Sequence, residues 1–380
     1  FSHYTERGWT VDNLWHIFTD FYGGQYAPLA FLSYLVLYAG FGYDPFYFHM
    51  FSLLLHIGCV CLVWKLISSL LRVHGGVSEK QILYVNFITT LLFAVHPINV
   101  EAVAWISALK VLLYAFFYLL GLLCYLRYIR TSKIFYYVLT IGCFLCSFWG
   151  KEQAVTFPLA LLIVDWFTNR NMKNLEVWSE KMSFLIMAFF FGIITVLSQG
   201  KGPYEMIFPL YQRLLFGCFA LVEYITKSLL PVNLNFFYPF PIVLGEEPPL
   251  HYYLYPVVLL FLMGWIIAYR NNRYLVFGVL LFLVNLLFSI HLFNMSRHAI
   301  VADRYMYLSY VGIAFLIANG IWWLRKRLSY FKAALVFLFF YCFFLSVYTF
   351  HYTKKWENTT MVKKYTKEVL EKRLNGSNHL

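Results

Sequence analysis

The groups of this chain that can do chemistry lie inside or beside long apolar runs. His96-Pro97-Ile98-Asn99-Val100-Glu101 closes one run, and Trp105 follows Glu101 at helical spacing. Lys151 and Glu152 interrupt a second, with Thr156, Pro158 and Asp165 beyond. Arg297, His298, Asp303 and Arg304 stand between two more. A bare charge at membrane depth is costly, so such groups line wet cavities and work there. Arginine can grip phosphate oxygens through paired N–H groups, and lysine meets them as a point charge. A carboxylate beside them can orient a hydroxyl or take its proton. Together these residue types point to a site for a polar or anionic ligand at the outer edge of a bilayer.

Each group also has a plain structural reading. Trp105 fits an interfacial aromatic belt, Lys151 and Glu152 can neutralise one another, and Asp303 can hold Arg304. A further stretch, Asn235-Phe236-Phe237-Tyr238-Pro239-Phe240-Pro241, reads either as cover for a lipid-facing groove or as a rigid interfacial loop.

Apolar elements must position these groups. The chain has 380 residues, 61% hydrophobic and 13% charged, where a soluble domain carries about a quarter charged. Its mean hydropathy is +0.65. Stretches of roughly 17–25 apolar residues cross bilayers as helices, and about eleven runs occur here. They are 46–69, 82–95, 102–126, 134–149, 153–167, 182–198, 211–230, 252–269, 274–291, 305–324 and 331–350. The seven cysteines all sit in apolar stretches, which excludes a disulfide framework. The net charge of +12 is the excess of Lys and Arg expected on cytoplasmic loops, not a nucleic-acid footprint.

Basic residues set the orientation: Arg72 and Lys80, Arg127 to Lys133, Arg170 to Lys181, Arg270 and Arg273, and Arg325 to Arg327 go to the cytoplasm. This works only if one run fails to cross. Run 211–230 carries Arg213, Glu223 and Lys227 and is the least apolar, so it is expected to be in-plane or re-entrant. Glu101, Lys151, Glu152, Arg297 and Arg304 then fall on the outer face. The expected fold is an all-α, polytopic transmembrane helical bundle with about ten crossing helices plus that one. Residues 1–45 form an outer-face segment, 46–351 the transmembrane domain and 352–380 an extracytoplasmic tail. The chain lacks a signal peptide at its start and is expected to begin inside a longer protein. No Gly-rich phosphate loop, no HExxH and no paired metal-binding carboxylates are present. No cofactor is required, and a divalent metal is left open.

The stretch His96 to Ile106 resembles a signature of TPR-linked, multi-spanning membrane glycosyltransferases, the transmembrane-and-TPR O-mannosyltransferases (TMTC) and their bacterial relatives. Gln25 to Leu29, Gly150 to Asp165, Pro231 to Pro241 and Ala302 to Leu308 are similar to four further elements, in the same order. The resemblance implies a GT-C-type enzyme that moves a sugar, with mannose foremost, from a polyprenyl-phosphate donor to a hydroxyl of a protein or other extracytoplasmic acceptor. It implies Arg304, with Arg297 or Lys151, for the donor phosphate, and His96, Trp105, Tyr26 and Tyr238 for sugar or acceptor. Glu101 or Glu152 would orient the sugar or acceptor. The catalytic base is expected upstream of Phe1, with Glu101, Glu152 and Asp303 as candidates within the chain. It further implies a tail leading towards TPR repeats and residence in a bacterial inner membrane, or the endoplasmic reticulum membrane of a eukaryote. The chain departs from the pattern at Ser107-Ala108-Leu109-Lys110, which keeps the Lys but not the acid, and at Ser309 in place of Pro. Arg304→Ala is expected to abolish transfer and leave the fold intact. The alternatives are a lipid-linked glycan ligase of the cell envelope, a lipid-linked sugar transporter or flippase, and a non-catalytic lipid-binding scaffold.

Overall fold

The computed structural model describes residues 2–22, 24–199, 208–291 and 299–377. Among them every regular element is helical, and only two isolated β-bridges occur, Tyr22 with Gln25 and Tyr238 with Val301. In chain order the helices are α1 (Ser2–Thr5), α2 (Val11–Thr19), α3 (Pro28–Phe41), α4 (Pro45–His74), α5 (Glu79–Val95), α6 (Val100–Ala104), α7 (Leu109–Thr131) and α8 (Ile134–Gly150). They continue as α9 (Phe157–Phe167), α10 (Leu175–Gln199), α11 (Leu210–Leu229), α12 (Leu254–Ala268), α13 (Arg273–Leu286), α14 (Met306–Trp323), α15 (Leu328–Thr353) and α16 (Thr359–Ser377).

Local chemistry sets the boundaries. Asp44 caps α4 by accepting from the Phe46 amide at 3.0 Å, with Pro45 in the first turn. Asn272 caps α13 through the Tyr274 and Leu275 amides. Pro97 cannot donate to a helix ladder, and the chain breaks there. The His96 ring accepts from the Ile98 amide at 3.2 Å, and a 3-10 turn, Pro97–Asn99, leads into α6. The run expected at 102–126 is likewise broken. Trp105 is extended, and a 3-10 turn at Ile106–Ala108 precedes α7.

Among the described residues six helical stretches are long and apolar enough to cross a membrane: Pro45–His74, Ile106–Thr131, Leu175–Ser198, Leu250–Ala268, Asp303–Lys326 and Leu328–Trp356. Helix α5 with Pro97–Ala104 makes a seventh as a bent pair. The chain is therefore an all-helical, multi-pass membrane protein. Helices α3, α8 and α13 are apolar but shorter, and α11 is not among the candidate spans. Helix α12 has no buried residue and α15 buries only Leu338, Cys342, Leu345 and Tyr352. Such continuous exposed apolar flanks suit contact with lipid.

The chain divides into two compact units. The first comprises Phe1–Thr90 with Ile106–Glu205, the second Leu91–Trp105 with Met206–Leu380. In the first, α7 packs against both α4 and α8 and buries Leu112, Tyr114, Tyr118, Leu122 and Tyr125. Gly150 ends α8 against α7, where a Cβ would lie 2.7 Å from the Tyr114 amide nitrogen. In the second, α13 and α14 pack backbone to backbone. A Cβ on Gly312 would lie 2.5 Å from the Gly278 carbonyl oxygen. Small residues at helix interfaces allow this close approach in membranes, where the hydrophobic effect does not drive helices together.

Candidate functional site

The second unit holds six of the residues singled out in the sequence, His96, Glu101, Trp105, Tyr238, Asp303 and Arg304. The break after α5 turns α6 so that Glu101 is fully buried. Its Oε2 accepts from the Arg304 amide at 2.7 Å, and its Oε1 pairs with the Arg304 guanidinium. Arg304 follows Asp303 in a 3-10 turn that starts α14. Its guanidinium lies 5.3 Å from the Trp105 ring and 5.1 Å from the Tyr305 ring. The α6 cap brings Glu101 and Trp105 to the same guanidinium. The Arg304 side chain keeps 20% exposure while its carboxylate partner keeps none.

Asp303 does not hold Arg304; Glu101 does. Asp303 is fully buried and accepts from the Tyr238 hydroxyl at both oxygens, 3.0 and 2.9 Å away. That hydroxyl accepts in turn from Lys227 Nζ at 2.8 Å and from the Asn235 amide at 2.6 Å. Lys227 lies 3.8 Å from Asp303 and 3.6 Å from Glu223. Burial, then the charge of Asp303, holds the Tyr238 phenol well above its usual range. The phenol therefore stays protonated and donates. The backbone reinforces the tie, since the Ile300 amide donates to the Tyr238 carbonyl at 2.9 Å. The Pro231 to Pro241 stretch is thus strapped to the start of α14. Its Phe236 ring meets Trp105 edge-on at 5.1 Å. His96 is buried with its ring 4.1 Å from that of Tyr310.

The sequence reading noted Lys227 and Glu223 only as charges that make α11 a poor span. Their four-residue spacing on an otherwise apolar helix was the available signal for a buried polar partner. Asn235 opens the aromatic stretch already singled out in the sequence, whereas nothing local pointed to Tyr224. The Tyr224 hydroxyl accepts from the Ala302 amide at 3.1 Å.

The first unit holds the other candidates. Lys151 caps α8 in an extended conformation and is 2% exposed, with Glu152 half-buried in the next turn. The Tyr26 hydroxyl donates to the Phe18 carbonyl at 3.0 Å, and its ring lies 6.0 Å from Phe148. Arg297 and His298 lie outside the described residues. This unit also contains an ion cluster the sequence did not reveal. Buried Asp165 meets Lys181 at 2.5 Å and Arg170 at 3.1 Å, and Arg170 meets Glu180 at 2.6 Å. The Tyr125 hydroxyl donates to Asp165 at 2.8 Å. The Glu180 hydrogen bond, then the other neighbouring charges, raise the Arg170 pKa against the cost of its burial. The cluster joins α7, α9 and α10 as four balanced charges. Among the described residues no three His, Cys, Asp or Glu side chains gather as a metal site.

Known proteins add a direction. No family model and no solved structure matches the chain. Over 189 residues, 45% of the chain, it is 32% identical to the protein O-mannosyl-transferase TMTC2 of Mus musculus, covering 21% of that protein. It is 33% identical to the Homo sapiens TMTC2 over 189 residues, again 45% of the chain and 21% of the relative. It is 28% identical to Drosophila melanogaster Tmtc3 over 172 residues, 40% of the chain and 18% of the relative. The chain thus spans about a fifth of the length of these curated relatives. Helices long and apolar enough to cross a membrane thus occur in a chain that is similar, over the matched stretch, to protein O-mannosyl-transferases of the TMTC group.

Proposed function

We propose that this chain forms the membrane part of a GT-C-type glycosyltransferase. It would move a mannosyl group from a polyprenyl-phosphate donor to a hydroxyl of a protein or other acceptor on the extracytoplasmic face. The attacking hydroxyl loses a proton to a base, the anomeric carbon–oxygen bond to the lipid phosphate breaks, and the lipid phosphate leaves with the electron pair. In this reading about ten helices cross, α11 does not, and residues 1–45, 46–351 and 352–380 keep the roles expected above.

The observation that carries the reading is the seat of Arg304. A guanidinium has five N–H donors, and Glu101 engages only one edge of it. Stacked on Trp105 and partly exposed, it is held in one orientation, so its free donors need little reorganisation to meet negative charge growing on a leaving phosphate. Lys151 remains a candidate for the same phosphate chemistry, and so does Arg297. Both oxygens of Glu101 and of Asp303 already accept hydrogen bonds, so both are assigned to positioning. Glu152 remains the candidate base within the chain. Trp105, Tyr238, Tyr26 and His96 are assigned to the surroundings of sugar and acceptor.

The test uses purified protein, labelled polyprenyl-phosphate mannose and a hydroxyl-bearing acceptor. Arg304→Lys keeps a charge for Glu101 and removes the planar fork. Transfer should fall by about 10²–10³, the usual scale for losing one preorganised donor. Turnover equal to the parent protein would remove the phosphate assignment.

A further inference from the structure

Helix α16, which follows α15, folds back onto the Pro231 to Pro241 stretch that is strapped to the start of α14. The Tyr365 hydroxyl donates to the Leu234 carbonyl at 3.1 Å, and the Thr366 hydroxyl donates to Asn235 Oδ1 at 3.2 Å. Tyr365 and Thr366 are half-buried, whereas Leu234 and Asn235 are buried. Val362 and Tyr365 also pack on a core of Val100, Leu234, Tyr352 and Trp356. Positions 362, 365 and 366 share one helix face, so that face meets the strap. Lys363, Lys364 and Lys367 are exposed.

Both hydrogen bonds end on a turn that reaches Arg304 by two routes. Asn235 Oδ1 also accepts from the Phe236 amide at 2.8 Å, and Asn235 Nδ2 donates to the Phe237 carbonyl at 3.1 Å. The Asn235 amide donates to the Tyr238 hydroxyl. Leu234 to Tyr238 is thus one hydrogen-bonded piece. Its first route is Tyr238, whose hydroxyl donates to Asp303, the residue before Arg304. Its second is Phe236, edge-on to the Trp105 ring that stacks with the Arg304 guanidinium. Trp356, in the 3-10 turn Lys354–Trp356 that leads towards α16, lies 5.8 Å from the Phe236 ring and 6.4 Å from the Trp105 ring.

The contacts from α16 place the turn more than they stabilise it. Thr366 is the second donor to an oxygen that keeps the Phe236 amide, so losing its hydroxyl strands no buried acceptor. What is lost is the tie between helix and turn. A donor that stabilises developing charge works by being held in place before the reaction. A looser turn therefore lowers the rate before it unfolds the protein.

We propose that α16 is a clamp on the Arg304 site, with Tyr365 and Thr366 as its positioning residues. The clamp fixes the 234–238 turn, and through that turn it sets Trp105 and the first residues of α14. Releasing α16 lowers turnover while the unit stays folded, which makes the helix a point of control. The proposal rests on the transfer reading above.

The experiment pairs hydrogen–deuterium exchange, read by mass spectrometry, with the labelled-mannose assay, on the full chain in neutral detergent. The variants are Thr366→Val and Tyr365→Phe. Thr366→Ser is the conservative replacement, and Thr359→Val makes the same change at an exposed position of α16. In both clamp variants the amides of 234–238 and 300–305 should exchange at least about fivefold faster, the factor that one net hydrogen bond supports. The amides of α8 should keep the parent rate. Turnover, kcat, should fall about tenfold with KM near the parent value, less than the roughly hundredfold cost of a 1 Å misplacement. Thr366→Ser and Thr359→Val should match the parent in both readouts. A helix that only adds stability would lower the heating midpoint and leave kcat and the 300–305 exchange at parent values, and that result would overturn the clamp. Faster exchange with parent kcat would overturn the positioning role. A parent protein that transfers no mannose would instead overturn the transfer reading, with the exchange data still deciding whether α16 holds the turn.

Discussion

Glu101 and Arg304 were each visible as charges out of place in apolar sequence, but their partnership was not. They stand 203 residues apart, and no local pattern joins them. Their pairing changes what a substitution tests. Arg304→Ala would leave Glu101 buried and unpaired, which costs about 3–5 kcal/mol. The expectation of an intact fold in that variant does not suit this geometry. We expect Arg304→Ala to unfold well below the parent and Arg304→Lys to stay close to it. Tyr238→Phe should also destabilise, because Asp303, Lys227 and the Asn235 amide all lose the same hydroxyl. Each buried group left unsatisfied costs about 1–3 kcal/mol. Cys59, Cys143 and Cys342 are buried thiols, so the heating midpoint of thiol exposure to a fluorogenic maleimide reads all three variants. An unchanged midpoint for Tyr238→Phe would mean that the strap contributes nothing to stability.

Among the elements, the apolar runs located most helices to within a few residues, because a helix that meets lipid must be apolar along its length. Where a run was broken, as at Trp105, composition gave no warning. Close helix packing was also invisible, since an interfacial glycine and a lipid-facing glycine look alike in sequence. Gly312 and Gly142 separate the two cases. Gly312→Ala would drive a Cβ into the α13 backbone and should lose about 1–3 kcal/mol. Gly142 has nothing within 4 Å of a built Cβ, so Gly142→Ala should be neutral or slightly stabilising. Asp165→Asn should cost more than either, because Lys181 is fully buried against it. The same heating assay ranks the three. A ranking with Gly142→Ala lowest would contradict the packing described for α13 and α14.

For the whole molecule, the proposed orientation puts the α9–α10 turn in the cytoplasm and the segment after α15 outside. A cysteine placed at Lys173 should react with a membrane-impermeant maleimide only from the cytoplasmic side, and one at Lys367 only from the opposite side. Labelling of both from one side would overturn the orientation, and with it the assignment of Arg304 to the extracytoplasmic face. The result is independent of any enzymatic assay, so it separates an error of topology from an error of chemistry.

By itself the sequence determined that this is a helical, lipid-embedded chain with isolated charges kept for some purpose, because hydropathy and the cost of buried charge are properties of short segments. It also carried the likeness to mannosyl-transferases in motifs scattered along its length. Only the tertiary structure decided which charge answers which. Glu101 serves Arg304, while Asp303 serves Tyr238 and Lys227, and Asp165 serves Lys181 and Arg170. Most of these pairings depend on distances between atoms that the chain separates by tens to hundreds of residues. Packing brings them together, and no local sequence rule encodes that.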